Sequence, residues 1–183
     1  MNDPDRALID KAMSGNKAAF GKLIQKYYEM VYAVAYGVLS RREEALDVTQ
    51  EVFIKVFREI GNFKGESKFK TWLYRIAVNA AIDATRRRRP EEPIEESARL
   101  ETKVLSPREE ASREETRELV GKALEFLNPE HKAVLVLREW QELSYEEIAE
   151  TLQVEIGTVM SRLFYARKRL AEIIGIKFKD LKV

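Results

Sequence analysis

Cysteine is absent from the 183 residues, which excludes disulfides and thiolate metal sites and fits a reducing compartment. Histidine occurs once. His131 stands in Asn128-Pro129-Glu130-His131 at a predicted helix start, where a lone histidine reads as a surface or capping residue rather than a ligand. No apolar run approaches the ~20 residues of a membrane span, and Met1 to Asp10 is polar and acidic, unlike a signal peptide. A cytoplasmic protein with no membrane insertion is therefore expected. Apolar–polar alternation at period two is nowhere sustained, which argues against a sheet. A surplus of one charge is missing as well: 32 Lys and Arg against 31 Asp and Glu leave a net +1. Such a balance ordinarily argues against a polyanionic partner.

The average conceals segregation. Lys64 to Arg89 carries eight Lys and Arg against Glu66 and Asp83, about +6, and Ile156 to Val183 carries seven against Glu172 and Asp180, about +5. Between them Glu91 to Glu118 holds ten Glu against five Lys and Arg, about −5. Each basic block taken alone reads equally well as a solvated helix face. Two blocks that coincide with helix patterns, with an acidic spacer between, fit local phosphate contacts.

Helical periodicity dominates. Phe20, Leu23, Ile24, Tyr27, Tyr28, Val31, Val34, Ala35, Val38 and Leu39 repeat at three and four, which predicts a long amphipathic helix. A second is predicted from Glu43 to Ile60, burying Val52, Phe53, Val56, Phe57 and Ile60 and stopped by Gly61 and Asn62. Phe63 to Lys70 reads as a loop. A third helix runs from Thr71 to Arg88 with Trp72, Leu73, Ile76, Ala77, Ala80, Ala81 and Ala84 inward. Pro90, Pro93 and Pro107 punctuate an acidic, apolar-poor stretch that reads as a flexible linker. Helical pattern resumes near Ser112. The expected fold is all-α: a domain over 1–90, a flexible acidic linker over 91–112, and a second domain over 113–183.

The second domain holds a helix-turn-helix pattern over about 144–168. Ser144 and Glu147 have the spacing of a capping box. Ile148, Ala149 and Leu152 face inward, as do Val159, Leu163, Ala166 and Leu170 of the second helix. The opposite face presents Gly157, Ser161, Phe164, Tyr165 and Lys168. Against a major groove the ring edges would touch thymine methyls while Thr158 and Ser161 bond phosphates or bases. Arg162, Arg167, Lys168 and Arg169 would supply phosphate contacts. The competing reading is a helical hairpin that packs on another protein through Phe164 and Tyr165.

Upstream, Phe63, Lys64, Lys68, Phe69 and Lys70 interleave rings and cations. That mixture suits unpaired bases better than a closed duplex. Phe63 and Phe69 serve equally as core residues closing the loop. The following helix carries Arg75, Asn79, Ile82 and Arg86 beside Trp72, and Asn79 could bond a base edge. On the preceding helix Asp47, Gln50, Glu51, Ile54 and Arg58 form a narrow outward stripe. Ile54 among charges of both signs suits a protein interface.

These three surfaces, in this order, resemble the extracytoplasmic-function sigma factors of bacterial RNA polymerase, particularly the sigma-E type. Asp47-Val48-Thr49-Gln50-Glu51-Val52-Phe53, Phe63-Lys64-Gly65-Glu66-Ser67 and Thr71-Trp72-Leu73-Tyr74-Arg75-Ile76-Ala77-Val78-Asn79 are similar to that family's region two. Leu143 to Ala149 and Gly157 to Leu163 are similar to its region four. The resemblance implies a promoter-specificity subunit that needs no cofactor and is not an enzyme. It implies that Asp47, Gln50, Glu51, Ile54 and Arg58 dock on the clamp helices of the polymerase β′ subunit. It implies that Phe63, Lys64, Lys68, Trp72, Arg75, Asn79 and Arg86 serve the non-template single strand of the −10 element, where one base is flipped. For the −35 duplex it implies Arg138, Thr158, Ser161, Arg162, Phe164, Tyr165, Arg167 and Lys168. An anti-sigma factor is a further implied partner.

This chain departs from the family in Gln153, where the turn often has glycine, in Met160, where a basic residue is usual, and in Tyr165, where some relatives carry arginine. A left-handed turn at Gln153 would be strained. Two rival readings use fewer of these features. A stand-alone regulator would employ the helix-turn-helix and leave the upstream surfaces idle. A nuclease or recombinase would need a carboxylate cluster, and Glu66 with Asp83 is a poor pair.

Overall fold

A computed structural model describes residues 3–88, 123–124 and 126–175. Among the described residues all regular elements are helical, as the periodicity predicts. The expected linker over 91–112 and most of the helix expected from Ser112 lie outside the described residues.

Helix α1 (Arg6–Met13) is not anticipated by the pattern, since its eight residues bury only Ile9 and Ala12. Side-chain bonds tie it down instead. The buried Asp5 carboxylate accepts from the Tyr27 hydroxyl at 2.5 Å and the Lys26 ammonium at 2.6 Å. Burial alone would raise the Asp5 pKa, but these two donors outweigh it and hold the carboxyl below its ordinary value. Burial and the same carboxylate push the Tyr27 phenol up.

Helix α2 (Lys17–Leu39) starts where the Asn16 side chain accepts from the Ala19 amide at 3.0 Å. It buries Phe20, Leu23, Tyr27, Val31, Val34 and Val38 along one stripe. Helix α3 (Arg42–Glu59) has Glu43 and Glu44 in its first turn, where negative charge favours the helix dipole. It buries Val48, Val52, Phe53 and Val56. Phe57, expected inside, is 53% exposed, and its ring meets Phe20 edge-on at 5.0 Å. A short 3-10 turn, Ile60–Asn62, follows.

Helix α4 (Phe69–Arg88) begins two residues before the predicted Thr71. The reason lies 66 residues away, where the Asp3 carboxylate accepts from the Phe69 amide at 2.8 Å and caps the helix. Leu73, Ile76, Ala77 and Ala81 are buried as expected, but so are Tyr74 and Val78. A helix apolar on more than one side is covered on more than one side. The second cover is the carboxy-terminal unit.

That unit comprises α5 (Pro129–Leu135), one π turn (Val136–Trp140), α6 (Tyr145–Leu152) and α7 (Ile156–Ile173). Asn128 caps α5 by accepting from the Glu130 amide, with Pro129 in the first turn where its missing N–H goes unneeded. The predicted capping box forms, with Ser144 and Glu147 bonding each other's backbone at 2.9 and 3.2 Å. Gln153 ends α6 at φ 55, ψ 47, the left-handed turn that glycine would adopt more cheaply. The two units share one continuous core that runs from Val31 and Val34 to Val136, Leu137, Ile148 and Leu163. Gly37 lets the two units approach closely. A Cβ there would lie inside the van der Waals shell of Val136 Cγ2 and 2.7 Å from Trp140 Cζ3.

Candidate nucleic-acid interface

The loop before α4 rests on an aromatic floor. Phe63 is only 8% exposed and packs on Phe69 at 5.7 Å and Trp72 at 5.2 Å between ring centroids. Phe69 in turn touches Trp72 at 5.6 Å and Tyr27 at 5.6 Å. Phe63, expected as a stacking ring, is therefore in this arrangement a floor residue, because the apolar cluster beneath it leaves water and bases only its margin. Trp72 is half-buried in the same cluster. Gly65 turns the loop at φ 71, which a side chain would strain. Lys64 and Lys68 are exposed above this floor, and Asn79 is exposed further along α4.

Two cations of that face are engaged by the carboxy-terminal unit. Arg75 donates through Nε to the Thr151 carbonyl at 3.2 Å and through Nη2 to the Glu150 carbonyl at 3.0 Å. Those carbonyls belong to the last turn of α6, where a cation satisfies orphan acceptors and complements the dipole. Arg86 donates to Glu130 at 2.9 Å. The Tyr74 hydroxyl, its pKa pushed up chiefly by burial, donates to Gln141 of the carboxy-terminal unit at 3.0 Å.

The α3 stripe is free of the carboxy-terminal unit. Asp47, Gln50, Glu51, Ile54 and Arg58 are all exposed, Ile54 by 52%. Phe57 extends the apolar part of this stripe. Its position borders the buried stripe, so the sequence pattern places it inside and only the neighbouring helix decides whether it is covered. Glu51 also accepts from Arg87 of α4 at 3.3 Å.

On the helix-turn-helix, α7 exposes Ser161, Phe164, Tyr165 and Lys168, while Thr158 and Arg162 are half-buried. The Ser161 hydroxyl donates back to the Thr158 carbonyl at 3.0 Å. Arg138 and Arg167, expected on phosphates, are occupied internally. Arg138 donates to the Leu143 carbonyl at 2.8 Å and lies over the Tyr145 ring. Arg167 pairs with Glu139 where both side chains are largely buried, which raises its already high pKa against the effect of burial. The Arg167 pair ties the π turn to the helix-turn-helix, and the Arg138 bond ties it to the segment that leads into α6. Basic residues in a predicted recognition helix read as phosphate contacts until their acidic neighbours are known.

Among the described residues no group of three His, Cys, Asp or Glu could hold a metal, and no helix is long and apolar enough to cross a membrane.

Comparison with known proteins agrees with this geometry. Residues 23–91 match Sigma-70 region 2, and residues 117–170 match Sigma-70 region 4. The RNA polymerase sigma-H factor of Pseudomonas aeruginosa is 36% identical over 178 residues, covering 92% of both chains. The ECF RNA polymerase sigma-E factor of Haemophilus influenzae is 39% identical over 176 residues, 91% of this chain and 93% of its own. Among solved structures, CnrH in complex with the cytosolic domain of CnrY matches with a TM-score of 0.71 at 28% identity, covering 94% of this chain and 98% of that one. The sigma factor RpoE in complex with the anti-sigma factor NepR from Bartonella quintana matches with a TM-score of 0.66 at 25% identity over 86% of this chain and 98% of that one. Two helical units with these surfaces, and this degree of likeness along nearly the whole length, establish that the chain belongs to the extracytoplasmic-function sigma factors: it is an alternative sigma factor, not an enzyme, that directs RNA polymerase to promoters.

Proposed function

We propose that residues 1–90 and 113–183 act as separate promoter-reading modules in the cytoplasm, and that the packed arrangement described above must open before both can be used. The observation that carries this reading is the engagement of Arg75 and Arg86 by the carboxy-terminal unit. Both lie on the α4 face that would hold the −10 single strand. Lys64, Lys68 and Asn79 remain exposed and would capture the extruded base and its backbone, with Phe63 and Trp72 as the rigid support beneath. Thr158, Ser161, Arg162, Phe164, Tyr165 and Lys168 would meet the −35 duplex. Arg138 and Arg167 act by bracing the helix-turn-helix. Asp47, Gln50, Glu51, Ile54 and Arg58, joined by Phe57, would dock on the clamp helices of the polymerase. An anti-sigma factor would hold or cover these surfaces. The two solved relatives are both captured with such a partner or a cytosolic partner domain.

Run-off transcription with purified core enzyme tests the assignment. Asn79→Ala should lower open-complex yield by more than it lowers closed binding; equal yields on a cognate promoter refute base capture. Ile54→Asp should abolish co-elution with core enzyme, and intact co-elution removes α3 from the docking surface.

A further inference from the structure

The outward ridge of α7 is apolar where a groove-reading helix would be expected to carry cations. Ile156, Met160 and Phe164 recur at i, i+4 and i+8, so they stand one above another. They are 42%, 54% and 50% exposed, and Tyr165 beside them is 57% exposed. One such residue on a surface is ordinary, whereas three on one short ridge with a fourth on the same exposed face mark a surface that something covers. The edges of the ridge indicate what. Lys168 continues from Phe164 by one turn and the Ser161 hydroxyl lies beside the ridge, while Thr158 and the half-buried Arg162 stand on the far edge of the same exposed face. A Cβ on Gly157 would meet nothing within 4 Å, so the backbone at the start of the helix is open to close approach. A cation and hydroxyls on the rest of that face are the groups that bond DNA phosphates.

In the major groove, guanine is read by arginine or lysine and adenine by asparagine or glutamine. Positions 156, 157, 160, 161, 164 and 165 hold none of these four residue types. The one base feature that an apolar side chain reads there is the C5 methyl of thymine. The geometry points to a −35 reader that recognises thymine methyl groups, with Met160 and Phe164 as specificity-determining residues. This rests on the reading of α7 as the duplex-binding helix. Ser161 Oγ, with its hydrogen engaged by the Thr158 carbonyl, faces the groove as an acceptor and adds a preference for a base amine at the neighbouring step.

The test uses the full chain with core enzyme on a promoter recovered by run-off from a genomic library. Its −35 duplex is remade with deoxyuridine for thymidine, which keeps pairing and deletes only the methyl. Transcription at limiting enzyme should fall about fourfold per contacted methyl. Met160→Ala and Phe164→Ala, both on exposed positions, should each bring the thymidine-to-deoxyuridine ratio toward one. Met160→Arg should move one position of the selected −35 sequence from thymine to guanine. Recovered −35 elements without thymine, or equal transcription from both duplexes, overturn the proposal. A deoxyuridine effect that persists unchanged in both alanine variants also overturns it, since it would report DNA shape. Scrambling the −35 sequence without any effect would instead refute the duplex-binding reading on which it stands.

Discussion

Gly37 offers the sharpest way to separate the two units without touching any surface assigned to polymerase or DNA. An added methyl at Gly37 would fall within the shell of both Val136 γ-carbons and 2.7 Å from Trp140 Cζ3. Trp140 is 44% exposed and can swing aside, but Val136 is 1% exposed, in a helical backbone, and β-branched. Its rotamer is all but single-valued there, so it cannot yield. Overpacking of this kind costs about 1–3 kcal/mol. Only the packed arrangement bears that cost. The gain of about 1 kcal/mol from alanine over glycine in a helix interior accrues to both arrangements and cancels between them. Gly37→Ala should therefore shift the packed-to-open ratio by roughly 5- to 150-fold. The chain has no native cysteine, so Lys22→Cys and Glu155→Cys, both at exposed positions, allow clean double labelling for single-molecule energy transfer. A lower-efficiency population should grow in Gly37→Ala, and the free protein should bind a −10 single-stranded oligonucleotide more tightly as Arg75 and Arg86 are released. An unchanged distance distribution would refute the claim that this seam holds the units together.

Asp5 predicts an acid-side slope in stability. Its folded pKa is lowered, so its contribution is present above the ordinary carboxylate value and is lost as pH falls through the folded value; denaturant midpoints taken from pH ~6 down to ~3 should fall less steeply in Asp5→Asn. Arg167→Ala should lower the thermal midpoint by stranding the partly buried Glu139, a loss of about 1–2 kcal/mol. If it instead weakens −35 binding with an unchanged midpoint, Arg167 is a phosphate contact after all. Phe57→Asp should impair core-enzyme association while leaving −35 duplex binding intact, and normal co-elution would confine the docking stripe to Ile54 and its charged neighbours.

Local patterns announce what they can satisfy locally. The stripe from Phe20 to Leu39 and the reciprocal Ser144–Glu147 cap each follow from a few adjacent residues, and each is present. Elements that depend on distant partners are different. Helix α1 is too short to show a period, and its place depends on Asp5 meeting Tyr27 across 22 residues. The start of α4 is set by Asp3. Tyr74 and Val78 lie outside the predicted inner stripe yet are buried, and the Tyr74 hydroxyl bonds Gln141 of the second unit, 67 residues away.

From its amino acids alone this chain could be assigned helices, a helix-turn-helix, segregated charge and a family, because periodicity, capping and motif spacing are properties of neighbours along the chain. The tertiary structure decided which of those residues are available: Phe63 sealed under the loop, Arg75 and Arg86 engaged by the other unit, Arg138 and Arg167 turned inward, Phe57 and Met160 left in the open. Availability depends on which distant atoms come within contact distance, and no spacing along a chain encodes that directly.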